Sequence, residues 1–345
     1  MIGPRMSLDQ LATEDALRLA VLLAGEVHAV RIDEGAMTLH ALTPRGEARV
    51  TLHPDTRPER YLMRVREVLA GHAMGSPGGY PVHLRRWTRS GHASPKSLQA
   101  LLCLGEPEAV TAVSLSANLT HELAQRAWWA QPTAELARSM LGHAAVRRGD
   151  LGVQLARHLM EHLPFEEDAD LAIASVEAIA AAGLLDAPMR ERLWRAAASR
   201  PHYLIGWIAH DRASLPPRPA REPSPALVEA AAAGDPLAHA LLPWYAPAGQ
   251  GLLHALALAV EKPPTHAAVY RALDLVGQCF ASAAPVTAAA CGAEAQALVL
   301  LRGVARTRAE PILTRTTAVG PLMRRHLAPV LMPVLQALQT LRGAS

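Results

Sequence analysis

From Ser94 onward this chain offers a fold only one kind of building block, the short amphipathic helix. Ser94 followed by Pro95 reads as an N-cap and a first helical residue. Apolar residues then recur at helical spacing over 95–104, 107–115, 119–130, 133–142, 150–163, 169–182 and 187–198, with short connections between them. Ala and Leu dominate and favour helix, while Phe occurs only at 165 and 280. Such helices can bury their stripes only against their neighbours, which predicts a HEAT-like stack. No consensus repeats at a fixed period, so an irregular helical bundle is the alternative.

The first 93 residues are different. A leucine stripe predicts a helix over 8–25. Three short strand candidates follow near 27–32, 37–43 and 48–53. In the third, Val50 and Leu52 alternate with Arg49, Thr51 and His53, the period of a half-buried strand. The breaks Asp33-Glu34-Gly35 and Pro44-Arg45-Gly46 are turn chemistry, too short for parallel crossovers, so an antiparallel meander is expected. An amphipathic helix over 58–71, a glycine-rich turn and a strand over 80–88 complete a small α+β domain. The fold class is therefore mainly α, with a small α+β N-terminal domain followed by HEAT-like or irregular helical regions.

Residues 212–225, RASLPPRPAREPSP, carry five prolines and little apolar content. This predicts an exposed linker, cut by trypsin at Arg212, Arg218 or Arg221. The expected organisation is a domain over 1–93, helical regions over 94–211 and 226–345, and the linker between those two. Helices are expected over 225–233, 236–243, 250–261, 265–281, 286–305 and 319–342, with Pro329 and Pro333 breaking the last into pieces.

Charge is uneven. Residues 1–96 hold 13 Lys/Arg against 10 Asp/Glu, residues 97–300 hold 14 against 20, and residues 301–345 hold 7 against 1. The basic C-terminal segment suits nucleic acid or an acidic protein surface, or docking on the acidic middle of its own chain. Three cysteines, Cys103, Cys279 and Cys291, are poorly spaced for metal and odd in number. Free thiols in a reducing compartment are expected. No segment reaches the roughly 18–20 apolar residues of a membrane span. The N-terminus lacks the basic and apolar regions of a signal peptide. A cytoplasmic location follows as an expectation.

Few motifs carry chemistry. His158-Leu-Met-Glu-His162 matches H-x-x-E-H, the inverted zincin pattern, with both histidines one turn apart and Glu161 as general base. Glu177 and Glu191 are available as a third ligand, but nothing marks either, and partly buried histidines fit the same positions. No metal or cofactor is expected. The loop 75–79 lacks the lysine of a P-loop and leads from helix to strand, so it reads as a tight turn. His83, Arg85, Trp87 and Arg89 share one face of the expected strand, with Arg86 opposite. Cations beside a stacking aromatic suit RNA; a solvated or partner-facing strand has the same pattern. These five residues are the candidate partner-binding set. Trp128 and Trp129 point about 100° apart on a helix, so one is expected to pack and the other to reach an interface. No G-x-S-x-G elbow, C-x-x-C pair or nucleotide fingerprint is present. A partner-binding protein is expected, with a zinc hydrolase or a general helical protein-binding scaffold as alternatives.

Several long segments carry a family resemblance. They are VLLAGEVHAVRIDEGAMTLHALTPRGEARVTLHP (21–54), YLMRVREVLAGHAMGSPGGYPVHLRRWTRSG (61–91), LLCLGEPEAVTAV (101–113), LTHELAQRAWWAQPTAELARSML (119–141) and EHLPFEED (161–168). Together they resemble the DsrS family, encoded within the dissimilatory sulfite reductase gene cluster of sulfur-oxidising bacteria. The resemblance spans about residues 13–210 and fades beyond the proline-rich stretch. It implies a cytoplasmic accessory protein that supports oxidation of stored sulfur, with control of sulfite reductase production after transcription, by protein or RNA recognition. It supplies no catalytic or cofactor residues.

Overall fold

The computed structural model describes residues 11–75, 94–281 and 292–343. The expected strand 80–88 and Cys291 lie outside the described residues. The chain divides into two compact units, residues 1–158 and 159–345. The fold is mainly α with one small antiparallel sheet.

The first unit begins with α1 (Thr13–Leu23), β1 (Ala29–Asp33), β2 (Thr38–Thr43), β3 (Gly46–Thr51) and α2 (Pro58–Met74). The strands form the expected meander in the order β1-β2-β3. Val30 opposes Ala41, and Leu39 opposes Val50. These side chains share one face, which packs with Leu19, Tyr61, Val65 and Leu69 of the two helices. Short helices follow: α3 (Pro95–Leu102), α4 (Pro107–Ser114), α5 (His121–Ala130), α6 (Ala134–Leu141), α7 (Ala144–Arg147) and α8 (Asp150–His162), the last crossing the boundary between the units at residue 158. Many start on a capping side chain. Ser94 Oγ accepts from Ser97 N at 3.2 Å, and Thr120 and Thr133 accept in the same way. Each such cap is worth about 1 kcal/mol, which matters in helices too short to hold alone.

The buried carboxylate of Asp15 ties α1 to the rest of this unit. It accepts from His53 N at 2.6 Å and from the Tyr61 hydroxyl at 2.5 Å, and its other oxygen lies 2.9 Å from His53 Nδ1. Burial alone would raise its pKa, but the hydrogen bonds from His53 and Tyr61 outweigh that and hold it below the usual carboxylate value.

The second unit contains α9 (Ala169–Ala181), α10 (Ala187–Ala196), α11 (Tyr203–Asp211), α12 (Pro225–Ala232), α13 (Pro236–Tyr245), α14 (Pro247–Glu261), α15 (His266–Phe280), α16 (Ala293–Arg302), α17 (Glu310–Leu313) and α18 (Gly320–Arg342). No helix among the described residues is long and apolar enough to cross a membrane. The expected break in the last helix does not occur: α18 runs through Pro329 and Pro333. The two prolines are four residues apart, so both missing amides fall on one side. Pro329 is exposed and Pro333 half-exposed, which lets water reach the freed carbonyls.

The proline-rich stretch lies within this unit and is held along its length. Arg218 N donates to Pro247 O at 3.0 Å, and Arg221 N to Tyr245 O at 2.9 Å. The Arg221 guanidinium lies 4.8 Å from the Tyr245 ring centre and pairs with Glu294 at 2.5 Å. Burial, then the hydrogen bond to Glu294, push the Tyr245 phenol up to about 12. Trypsin is therefore expected to cut the native chain slowly at Arg221, and faster there in a Glu294→Gln variant, which loses the ion pair and keeps the cleavage site. Rapid cleavage of the unmodified chain at Arg221 would contradict this strap.

Cys103 and Cys279 are both free and buried. Burial raises both thiols, Cys103 to about 11. Native protein at neutral pH should resist alkylation at both and react at both once denatured. Fast native modification of either would show that its helix opens.

Candidate functional site

A concave site in the second unit is organised by α11. This helix is apolar on every side: Tyr203, Leu204, Ile205, Trp207 and Ile208 are all buried. It therefore needs neighbours all round, and it packs against α9, α14 and α15. Gly206 permits the closest approach. A Cβ there would sit 2.6 Å from Ile173 O and 2.8 Å from Glu177 N. Gly277 does the same on α15, where a Cβ would sit 2.1 Å from Val304 O. The loop after α16 can thus settle on α15 and bring Arg306 beside Asp274.

The resulting cleft holds about 390 Å³. Its floor is aliphatic, from Ile173, Ile205, Gly206, Ala209 and Leu275. Its rim carries Glu177, His210, Arg271, Asp274, Gln278 and Arg306. Glu177 bridges two elements: His210 Nε2 lies 3.2 Å from one of its oxygens, and Arg271 donates to the other at 3.0 Å. Asp274 accepts from Arg306 N at 2.8 Å and from its Nε at 2.5 Å. The guanidiniums lie outermost. Arg306 is 58% exposed over an Asp274 that is 18% exposed. Among the described residues no Ser, Thr, Cys or Lys lines the cleft. The arrangement is suited to holding an amphipathic segment: apolar contact on the floor, directional polar contact on the rim.

Sequence reasoning named Glu177 only as a spare zinc ligand and passed over the rest. A signal was present. Glu177 is the sole charge between Leu171 and Leu185, and Arg271 and Asp274 interrupt an otherwise apolar helix three residues apart.

The alternative zinc motif, His158, Glu161 and His162, spans a half-buried and two exposed positions. The His158 ring lies 4.8 Å from that of Trp128, edge-on. Among the described residues no three His, Cys, Asp or Glu side chains are grouped to hold a metal ion. The candidate partner-binding residues His83, Arg85, Arg86, Trp87 and Arg89 lie outside the described residues.

A second polar cluster covers the outer sheet face of the first unit. Arg31, His40 and Arg49 stand opposite one another across the three strands. Glu47 gathers all three, at 3.3, 2.8 and 3.2 Å. The His40 hydrogen bond, then those from Arg49 and the Arg31 charge, pull its carboxyl down to about 2 against the effect of burial. Trp129 also donates to Glu47, and the Arg31 guanidinium lies 4.9 Å from its ring centre. Trp128 is buried and Trp129 half-buried, so the pair divides between packing and this cluster. Within it Arg31 Nε is buried without a hydrogen-bond partner among the described residues, and Arg49 is exposed.

No family model matches the chain, and no curated protein or solved structure matches it either.

Proposed function

We propose that this chain is a non-enzymatic recognition protein that supports sulfur oxidation, and that it acts on a protein partner through the cleft of its second unit. The observation that carries the reading is the make-up of that cleft. Its floor is aliphatic, and its carboxylates Glu177 and Asp274 are each engaged by a guanidinium. Covalent catalysis through Ser, Thr, Cys or Lys needs that nucleophile beside a base, and among the described residues none of the four lines the cleft. The cleft offers instead a fixed set of polar contacts around an apolar trough, which is the chemistry of peptide recognition.

The resemblance to the DsrS family supplies the setting: a cytoplasmic protein that adjusts production of the sulfite reductase system after transcription. Deleting the gene in a sulfur-oxidising host is expected to change the amount of sulfite reductase protein while its transcript stays constant, and to slow consumption of stored sulfur. Unchanged sulfur consumption and unchanged protein level would overturn the sulfur setting.

A further inference from the structure

We infer that the partner of this cleft is an acidic amphipathic peptide segment, seated with its apolar side on Ile205 and Leu275 and its carboxylates against Arg271, Arg306 and the neighbouring arginines. This rests on the recognition reading above and adds to it the class of partner.

The argument is one of charge and of unused donors. Inside the cleft the carboxylates are spent: Glu177 is engaged by His210 and Arg271, and Asp274 by Arg306. Each guanidinium has five N–H donors in a fixed fork. Arg306 gives Nε and one terminal nitrogen to Asp274, and Arg271 gives one terminal nitrogen to Glu177. The remaining donors belong to side chains 58% and 43% exposed, and among the described residues no further hydrogen-bond acceptor engages them.

The wall beside the cleft has the same sign. Gly277 admits the loop at Val304, so the segment carrying Arg302, Arg306 and Arg308 lies directly against α15. All three arginines are exposed. Glu310 is the one acidic residue in 301–345, against seven arginines. A carboxylate-bearing partner complements this wall, and a cationic one is repelled.

The floor decides between an acidic protein and a nucleic acid. Single-stranded RNA is gripped best where Phe, Tyr or Trp faces stack its bases. No Phe, Tyr or Trp lines the cleft, and none occurs in 302–326. Aliphatic residues suit Leu, Ile or Val of a helix face.

The test uses the full chain and three fluorescent probes: a Leu/Glu amphipathic peptide of about 15 residues, or about 22 Å as a helix; the same peptide with Lys for Glu; and an oligouridine RNA. Two surface variants accompany them. Ala209→Trp fills the trough from an exposed position, and Arg302→Glu/Arg308→Glu reverses the wall. Both should melt like the parent. The acidic peptide should bind, more weakly as salt rises, and lose at least about ten-fold in affinity with either variant. The lysine peptide should bind at least about ten-fold more weakly than the acidic one. Equal or tighter binding of the lysine peptide would overturn the inference. So would RNA binding tighter than the acidic peptide and indifferent to Ala209→Trp, or no binding of the acidic peptide at all. None of these three outcomes touches the broader reading. That reading fails separately, if Ala209→Trp leaves the chain fully functional in the cell.

Discussion

Gly277→Ala should lower the stability of the second unit by about 1–3 kcal/mol, the range found when extra atoms are forced into a packed interior. The sign is the informative part. In an unconstrained helix interior, alanine is more favourable than glycine by about 1 kcal/mol. Here the added Cβ would stand 2.1 Å from the carbonyl oxygen of Val304, a backbone atom that no rotamer change can move. Gly206→Ala should behave alike, because its Cβ would meet Ile173 O at 2.6 Å and Glu177 N at 2.8 Å. Either variant should also spread the cleft, since these two contacts set its walls. Urea denaturation followed by far-UV circular dichroism reads the change. A Gly277→Ala protein as stable as the parent, or more so, would mean that the 303–306 loop does not sit on α15.

Asp15→Ala should be comparably damaging in the first unit, by about 3 kcal/mol. The substitution leaves the His53 amide and the Tyr61 hydroxyl without their common acceptor at a site where Asp15 is fully buried. Each orphaned buried donor costs about 1–3 kcal/mol. The effect has a pH signature. Burial pushes Asp15 up, and the hydrogen bonds from His53 and Tyr61 more than reverse that, so its folded-state pKa lies below the unfolded one. A depressed carboxyl contributes stability that is complete above the unfolded value, about 3.9, and is lost as pH falls through the folded value. The parent should therefore lose part of its stability in acid below about pH 4. Asp15→Ala, already without it, should show a flatter acid limb. Equal slopes in both proteins would mean that the carboxylate is not ionised in the folded state.

How far these features were legible in the sequence depended on periodicity. The meander was readable because Arg49, Val50, Thr51 and Leu52 alternate and because its turns carry turn residues. Helix α2 was readable from Tyr61, Leu62, Val65 and Leu69, which return to one face. α11 was not. YLIGWIAHD has apolar residues all round, and a helix buried on every side shows no stripe. That one gap concealed the candidate site, because α11 forms the cleft floor. The prolines misled in a related way. Pro329 and Pro333 stand on one solvent-accessible side of α18, where missing amides are tolerated, and composition does not report which side a proline faces. At 212–225, prolines that read as a spacer form a strap, because Arg218 and Arg221 find backbone and carboxylate partners more than 20 residues away. Close approaches at Gly206 and Gly277 leave no trace in one sequence beyond the glycines themselves.

The account's central claim is that the chain works by recognition at the cleft of its second unit. The most direct measurement is complementation of a strain lacking the gene by the Ala209→Trp protein, after its melting curve has been shown to match the parent. Ala209 is exposed and supplies no polar group, so tryptophan there blocks the trough without removing any chemistry. The account predicts that this variant accumulates normally yet fails to restore sulfur consumption and the amount of sulfite reductase. Full restoration of both would contradict it.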